Sequence, residues 1–145
     1  MITWTTYGTW LQGDKRGYVK KGEILPASPE LSDSNKQNLT KNPVKLSKAH
    51  REIVTKAILK KAEQLKHKIY ALAVSYNHVH IVTDITPESI GTIVKYYKMA
   101  GQVALRKHDI TGRLWTKGFD KRYCFDKKTL KSRIDYVNSH NKNNI

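Results

Sequence analysis

The chain reads as an α+β protein built on an antiparallel sheet of the split βαβ, ferredoxin-like kind, with one further helix at its C-terminal end. Three observations predict this. Apolar, β-branched runs lie at residues 2–10, 68–76 and 78–85, with a shorter one inside 114–125. Stretches with helical spacing lie at 47–66, 86–105 and 126–140, and each opens on a capping residue. The order β-α-β-β-α-β-α follows, and it is the split βαβ plan with one helix added.

Each element has its own reason. Residues 2–10 alternate, with Ile2, Trp4 and Thr6 on one face and Thr3, Thr5 and Tyr7 on the other, until Gly8 and Gly13-Asp14 punctuate the run. Residues 15–45 carry Pro26, Pro29 and Pro43 among many Ser, Asn and Lys, and read as a long loop or insertion, with room for a short helix near 30–40. Ser47 caps a helix to about Lys66, with Ile53, Val54, Ala57, Ile58 and Leu65 on its apolar side and His50 beside them. Ile69 to Val74 is a continuous apolar strand, and Tyr76-Asn77 makes the tight connection to a second strand from His78 to Ile85.

Thr86-Pro87-Glu88 opens the next helix with a cap, a proline in the first position and an acid in the first turn. Ile85 and Ile90 fit a hydrophobic staple across that start, and the stripe continues through Ile93, Val94, Tyr97, Ala104 and Leu105. Gly112 closes the following turn. A last strand lies within Leu114–Phe125, interrupted at Gly118. Asp126 caps the final helix to about His140, with Phe125 and Leu130 as a second staple.

Size and charge bound the function. The 145 residues suit a single domain, 1–145, with one sizeable core. Lys and Arg number 27 against 12 Asp and Glu, a net +15, which favours a polyanionic partner. No apolar run is long enough to span a bilayer, and the start Met1-Ile2-Thr3-Trp4-Thr5-Thr6 lacks the pattern of a signal peptide. Cys124 is the one cysteine, which leaves no disulfide framework and fits a reducing, cytoplasmic setting.

The densest chemistry is Ala73-Val74-Ser75-Tyr76-Asn77-His78-Val79-His80-Ile81-Val82. Side chains two apart on a strand share a face about 7 Å apart, so His78 and His80 turn two imidazoles to one side while Val79 and Ile81 pack on the other. Two neutral imidazoles side by side are a candidate metal site. The final helix adds a second feature. Leu130, Ile134 and Val137 form its apolar stripe, and Tyr136 and His140 lie together about 100° away, one turn apart, with Thr129 and Arg133 beside them.

Asn77-His78-Val79-His80-Ile81-Val82 resembles the HUH motif of the single-tyrosine (Y1) transposases of the IS200/IS605 type, and Tyr136 followed by His140 resembles their catalytic helix. Leu114-Trp115-Thr116-Lys117-Gly118-Phe119-Asp120-Lys121-Arg122 and the opening Trp4-Thr5-Thr6-Tyr7-Gly8-Thr9-Trp10-Leu11 are similar to the REP-associated tyrosine transposases. The resemblance spans the chain outside residues 15–45. It implies a metal-dependent single-strand DNA endonuclease and transposase that recognises hairpins, acts in a prokaryotic cytoplasm on the nucleoid and in some members forms homodimers. Tyr136 would be the nucleophile, with Tyr123 second in line. His78, His80 and His140 would hold a divalent ion. The family's third ligand is usually Asn or Gln, so His140 is a departure that moves metal preference from Mg toward Mn, Co or Zn, and Asn141 is the competing third ligand.

DNA would lie on Lys95, Tyr96, Lys98, Arg106, Trp115, Lys117, Lys121, Arg122 and Arg133, with Trp4, Tyr7, Trp10 and Tyr97 as further stacking candidates. The alternatives are a non-catalytic single-stranded nucleic-acid-binding protein, a domesticated transposase relative, and a metallohydrolase that uses His78 and His80 with a water nucleophile, for which Asp84 lies on the right strand face but no bridging acid is present.

Overall fold

The computed structural model describes residues 1–9, 18–20, 23–25, 43–108 and 110–143. Its elements run β1 (Ile2–Thr5), β2 (Tyr18–Lys20), β3 (Glu23–Leu25), α1 (Lys48–Leu65), β4 (Ile69–Val74), β5 (His78–Thr83), α2 (Ile90–Arg106), β6 (Asp120–Lys121) and α3 (Lys127–Asn143). Four strands form one antiparallel sheet in the order β4-β5-β1-β6. This is the expected split βαβ arrangement, with the α+β class and the C-terminal helix as read from sequence.

The period-2 pattern sorts the two faces. Ile2 pairs with Ile81 and Trp4 with Val79, and these residues join Val54 and Ile58 of α1 and Ile93, Val94, Tyr97 and Leu105 of α2 in the main core. On the other face, Ala71, Ala73 and Val82 meet Val137 of α3, with Leu130 and Ile134 packed against them. The small side chains of β4 let α3 lie close. His78 and His80 share the parity of Val82 and so face α3. At Gly101 of α2 an added Cβ would stand 3.2 Å from the Trp115 ring and 3.3 Å from Val54, so the absent side chain is what allows α1, α2 and the 115 segment to close up.

The three N-caps have physical anchors. Ser47 Oγ accepts from the His50 amide at 3.2 Å, as the sequence suggests. For α2 the cap is Ser89, whose Oγ accepts from the Thr92 amide at 3.2 Å, and the helix begins at Ile90. Thr86-Pro87-Glu88 therefore makes a separate turn ahead of the helix. Neither staple forms: Ile85 is 96% exposed and Phe125 is 89% exposed. Each lies on a segment that leaves the sheet before its helix begins, so the pair cannot close across the cap. Asp126 does cap α3, its carboxylate accepting from the Thr129 amide at 2.6 Å.

β1 ends at Thr5 rather than at residue 10, because Thr6 turns inward and Gly8 adopts φ +76°. Thr6 is buried, donates from Oγ1 to the Val44 carbonyl at 2.6 Å, and forms a lone bridge with Trp115. Gly118, at φ +91°, breaks the last strand as expected and confines β6 to two residues. Within the expected 15–45 loop, β2 and β3 pair with each other. The rest of that loop up to residue 42, and with it Trp10 and Gly13-Asp14, lies outside the described residues.

Candidate metal and tyrosine site

β5 presents His78 and His80 to α3, and α3 returns His140. The ligating nitrogens of the three imidazoles lie within 4.8 Å of one another. Ring centroids are 4.5 Å apart for His78 and His80, 4.7 Å for His80 and His140, and 5.5 Å for His78 and His140. Tyr136 closes the group, 4.7 Å from His140 and 5.5 Å from His80. It is 46% exposed.

The Nδ1 atom of each imidazole is engaged. That of His78 donates to the Asn77 side-chain oxygen at 2.7 Å, and that of His140 donates to the Tyr136 carbonyl at 3.0 Å. That of His80 shares a 2.7 Å hydrogen bond with Thr3 Oγ1. A proton held on Nδ1 leaves the lone pair on Nε2, and outer hydrogen bonds of this kind orient metal-ligating histidines. Burial, then the neighbouring His78 and His140 rings, push the His80 pKa down from 6.5 to about 3. A neutral imidazole is the form that ligates. The donor set therefore fits a divalent ion, and three nitrogens suit Mn, Co or Zn better than Mg.

Asn141, the competing third ligand, does something else: its side-chain amide donates to the Leu72 carbonyl of β4 at 3.0 Å and ties α3 to the sheet edge. Asp84 sits beyond the end of β5, exposed, with its carboxylate accepting from the Ile85 amide at 2.8 Å, so it does not join the histidines. Tyr123 stacks on Phe125 at 5.8 Å with Lys121 over its ring, and these, rather than histidines, are its ring neighbours.

The expected DNA-contacting residues divide. Lys95, Arg106, Lys117, Lys121 and Arg122 are exposed, and Tyr96 and Arg133 are half-buried. Tyr96 has Lys61 over its ring at 5.7 Å. Arg122 Nε pairs with Asp120 at 3.3 Å. Lys98 Nζ donates to the Thr116 carbonyl at 2.9 Å and the Gly118 carbonyl at 2.8 Å, so it straps the 116–118 turn to α2. Trp115 is a core side chain rather than an open platform. Its ring meets Trp4 edge-on at 6.1 Å, and its Nε1 donates to the Lys98 carbonyl at 2.8 Å. Trp4, Tyr7 and Tyr97 are likewise buried. Aromatic composition alone does not separate these core rings from exposed ones.

Sequence reasoning passed over Thr3 and Asn77. Thr3 was visible only as one member of an alternating face, and Asn77 only as a turn residue, because neither their partners nor the β1–β5 register can be read from one strand.

The chain matches the family model described as "Transposase IS200 like" over residues 38–140. It belongs to the IS200-like transposase family. The matched span runs from within the 15–45 segment into α3 as far as His140, and includes all three histidines and Tyr136. A search of curated proteins returns no match. Membership of the IS200-like family points to transposase chemistry, with DNA as the partner, and the histidine cluster is compatible with the metal such chemistry uses. Among the described residues no helix is long and apolar enough to cross a membrane.

Proposed function

We propose that this protein nicks and joins single-stranded DNA through a 5′-phosphotyrosine on Tyr136, as a member of the REP-associated group of single-tyrosine transposases. The observation that carries the reading is the packing of the Tyr136 ring against His80 and His140, within a group of three histidines.

His78, His80 and His140 would hold a divalent ion, which when bound would supply Lewis-acid polarisation of the scissile phosphate. Thr3 and Asn77 orient the two strand imidazoles for that task. Tyr136 Oη forms the new bond to phosphorus as its proton passes to solvent water, which returns one to the departing oxygen. The bond from phosphorus to the 3′-oxygen breaks, and that oxygen leaves as a free 3′-OH after taking up a proton. Arg133 lies one turn earlier on α3, where its guanidinium would pair with the phosphate of the bound strand. The covalent link conserves the phosphodiester energy, so joining to another 3′-OH needs no nucleotide cofactor.

The substrate in this reading is single-stranded DNA bearing a hairpin, met in a prokaryotic cytoplasm, and the unit is one domain that works alone or as a homodimer. A denaturing gel of protein mixed with labelled hairpin-bearing single-stranded DNA and Mn tests it. A labelled protein–DNA adduct that vanishes with chelator and in Tyr136→Phe is expected. An adduct that persists in Tyr136→Phe would transfer the role to Tyr123, and no adduct on any hairpin would favour the non-catalytic binding protein.

A further inference from the structure

Across the sheet from the histidines, α2 and the 113–119 segment enclose an open groove of about 850 Å³. One stripe of α2 lines it with Lys95, Met99, Val103 and Arg106, and the opposite wall contributes Lys117 and Phe119. Met99 is 56% exposed, Val103 43% and Phe119 39%. No acidic side chain is among the lining residues. The wall is held in place by the two Lys98 bonds to the Thr116 and Gly118 carbonyls, so the groove is a built feature rather than a loop lying against a helix.

The floor is apolar and both rims are cationic. We propose that the groove binds a stretch of unpaired nucleic-acid strand, with phosphates along Lys95, Arg106 and Lys117 and base faces against Met99, Val103 and Phe119. This deepens the single-strand nuclease reading and rests on it for the identity of the strand. An unpaired strand carries anionic phosphates beside flat apolar bases, which is the complement of this lining. A duplex hides its base faces and would leave the floor unused. A second copy of the chain, at net +15, is repelled from a cationic rim. Lys95 and Arg106 are separated by about 16 Å of helix axis, the span of about five stacked nucleotides. The Phe119 wall continues directly into β6, where Asp120 pairs with Thr3, so a strand leaving the groove reaches the histidines by rounding the β6 edge.

The test uses the full chain, with chelator present, and a short unstructured fluorescein-labelled DNA oligonucleotide followed by anisotropy over a salt series. The double variant Lys95→Glu, Lys117→Glu should weaken binding at least about tenfold and flatten the salt dependence by about one unit of slope per lysine lost. Phe119→Ala should weaken binding about tenfold with the slope unchanged, since it removes stacking and no charge. Wild-type affinity and slope in both variants would overturn the proposal. So would displacement of the probe by polyglutamate as effective, per charge, as displacement by unlabelled oligonucleotide, which would assign the groove to acidic peptides. The Tyr136 adduct assay is read separately. Lost affinity in the groove variants with no wild-type adduct removes the nuclease reading and leaves the groove assignment standing. An adduct in wild type with unaltered binding in the groove variants does the reverse.

Discussion

Thr3 of β1 and His80 of β5 are paired residues on neighbouring strands, and a 2.7 Å hydrogen bond joins Thr3 Oγ1 to His80 Nδ1 on the face that meets α3. The sheet register itself thus places a hydroxyl where it engages Nδ1 of one imidazole of the histidine group. Thr3→Val keeps the β-branched shape and removes only the bond. We expect metal affinity, measured by calorimetry with Mn or Zn, to fall about tenfold or more, while the unfolding midpoint shifts little. Unchanged affinity would make the bond incidental.

His140 and Asn141 are adjacent, yet they face different partners. His140→Ala should lose most of the metal affinity. Asn141→Ala should keep it within a few-fold and lose only stability, by about 0.5–1.5 kcal/mol for one neutral hydrogen bond. The reverse ranking in metal titrations would make Asn141 the ligand.

The depressed pKa of His80 has a consequence for the metal-free protein. Unfolded His80 takes up a proton near pH 6.5, whereas folded His80 stays neutral down to about 3. The unfolded state therefore binds more protons in that window. Stability is full above pH 6.5 and falls as pH drops toward 3. Between pH 7 and pH 5 the loss from this group is about 2 kcal/mol. Urea unfolding in chelator at the two pH values measures it, and His80→Asn should remove that part of the slope.

Tyr97 is fully buried, and its hydroxyl lies 2.8 Å from His67 Nδ1, while His67 Nε2 stands 3.3 Å from the Glu88 carboxylate. This chain of groups ties the start of β4 to α2 and to the turn before it. Burial, then Glu88, raises the Tyr97 pKa to about 12, so the phenol stays protonated. Tyr97→Phe strands the buried His67 nitrogen and should cost about 1–3 kcal/mol in chemical denaturation, with metal binding on the far face unaffected.

Periodicity and capping residues, read alone, determined the order of the elements outside the 15–45 segment, the assignment of Val79 and Ile81 to the core and of His78 and His80 to the opposite face, the apolar stripe of α3, and the pairing of Tyr136 with His140 on that helix. These are local properties: a strand's alternation and a helix's turn need no distant partner. Tertiary structure alone decided the rest. It set the β1–β5 register that gives Thr3 to His80, the contact that brings His140 to the strand while sending Asn141 to Leu72, the burial of Trp4, Tyr7, Tyr97 and Trp115, and the failure of both staples. Each of those depends on which surfaces meet after the chain has closed on itself. An aromatic ring or a polar side chain has the same local pattern whether or not a neighbour from far along the chain arrives to cover it.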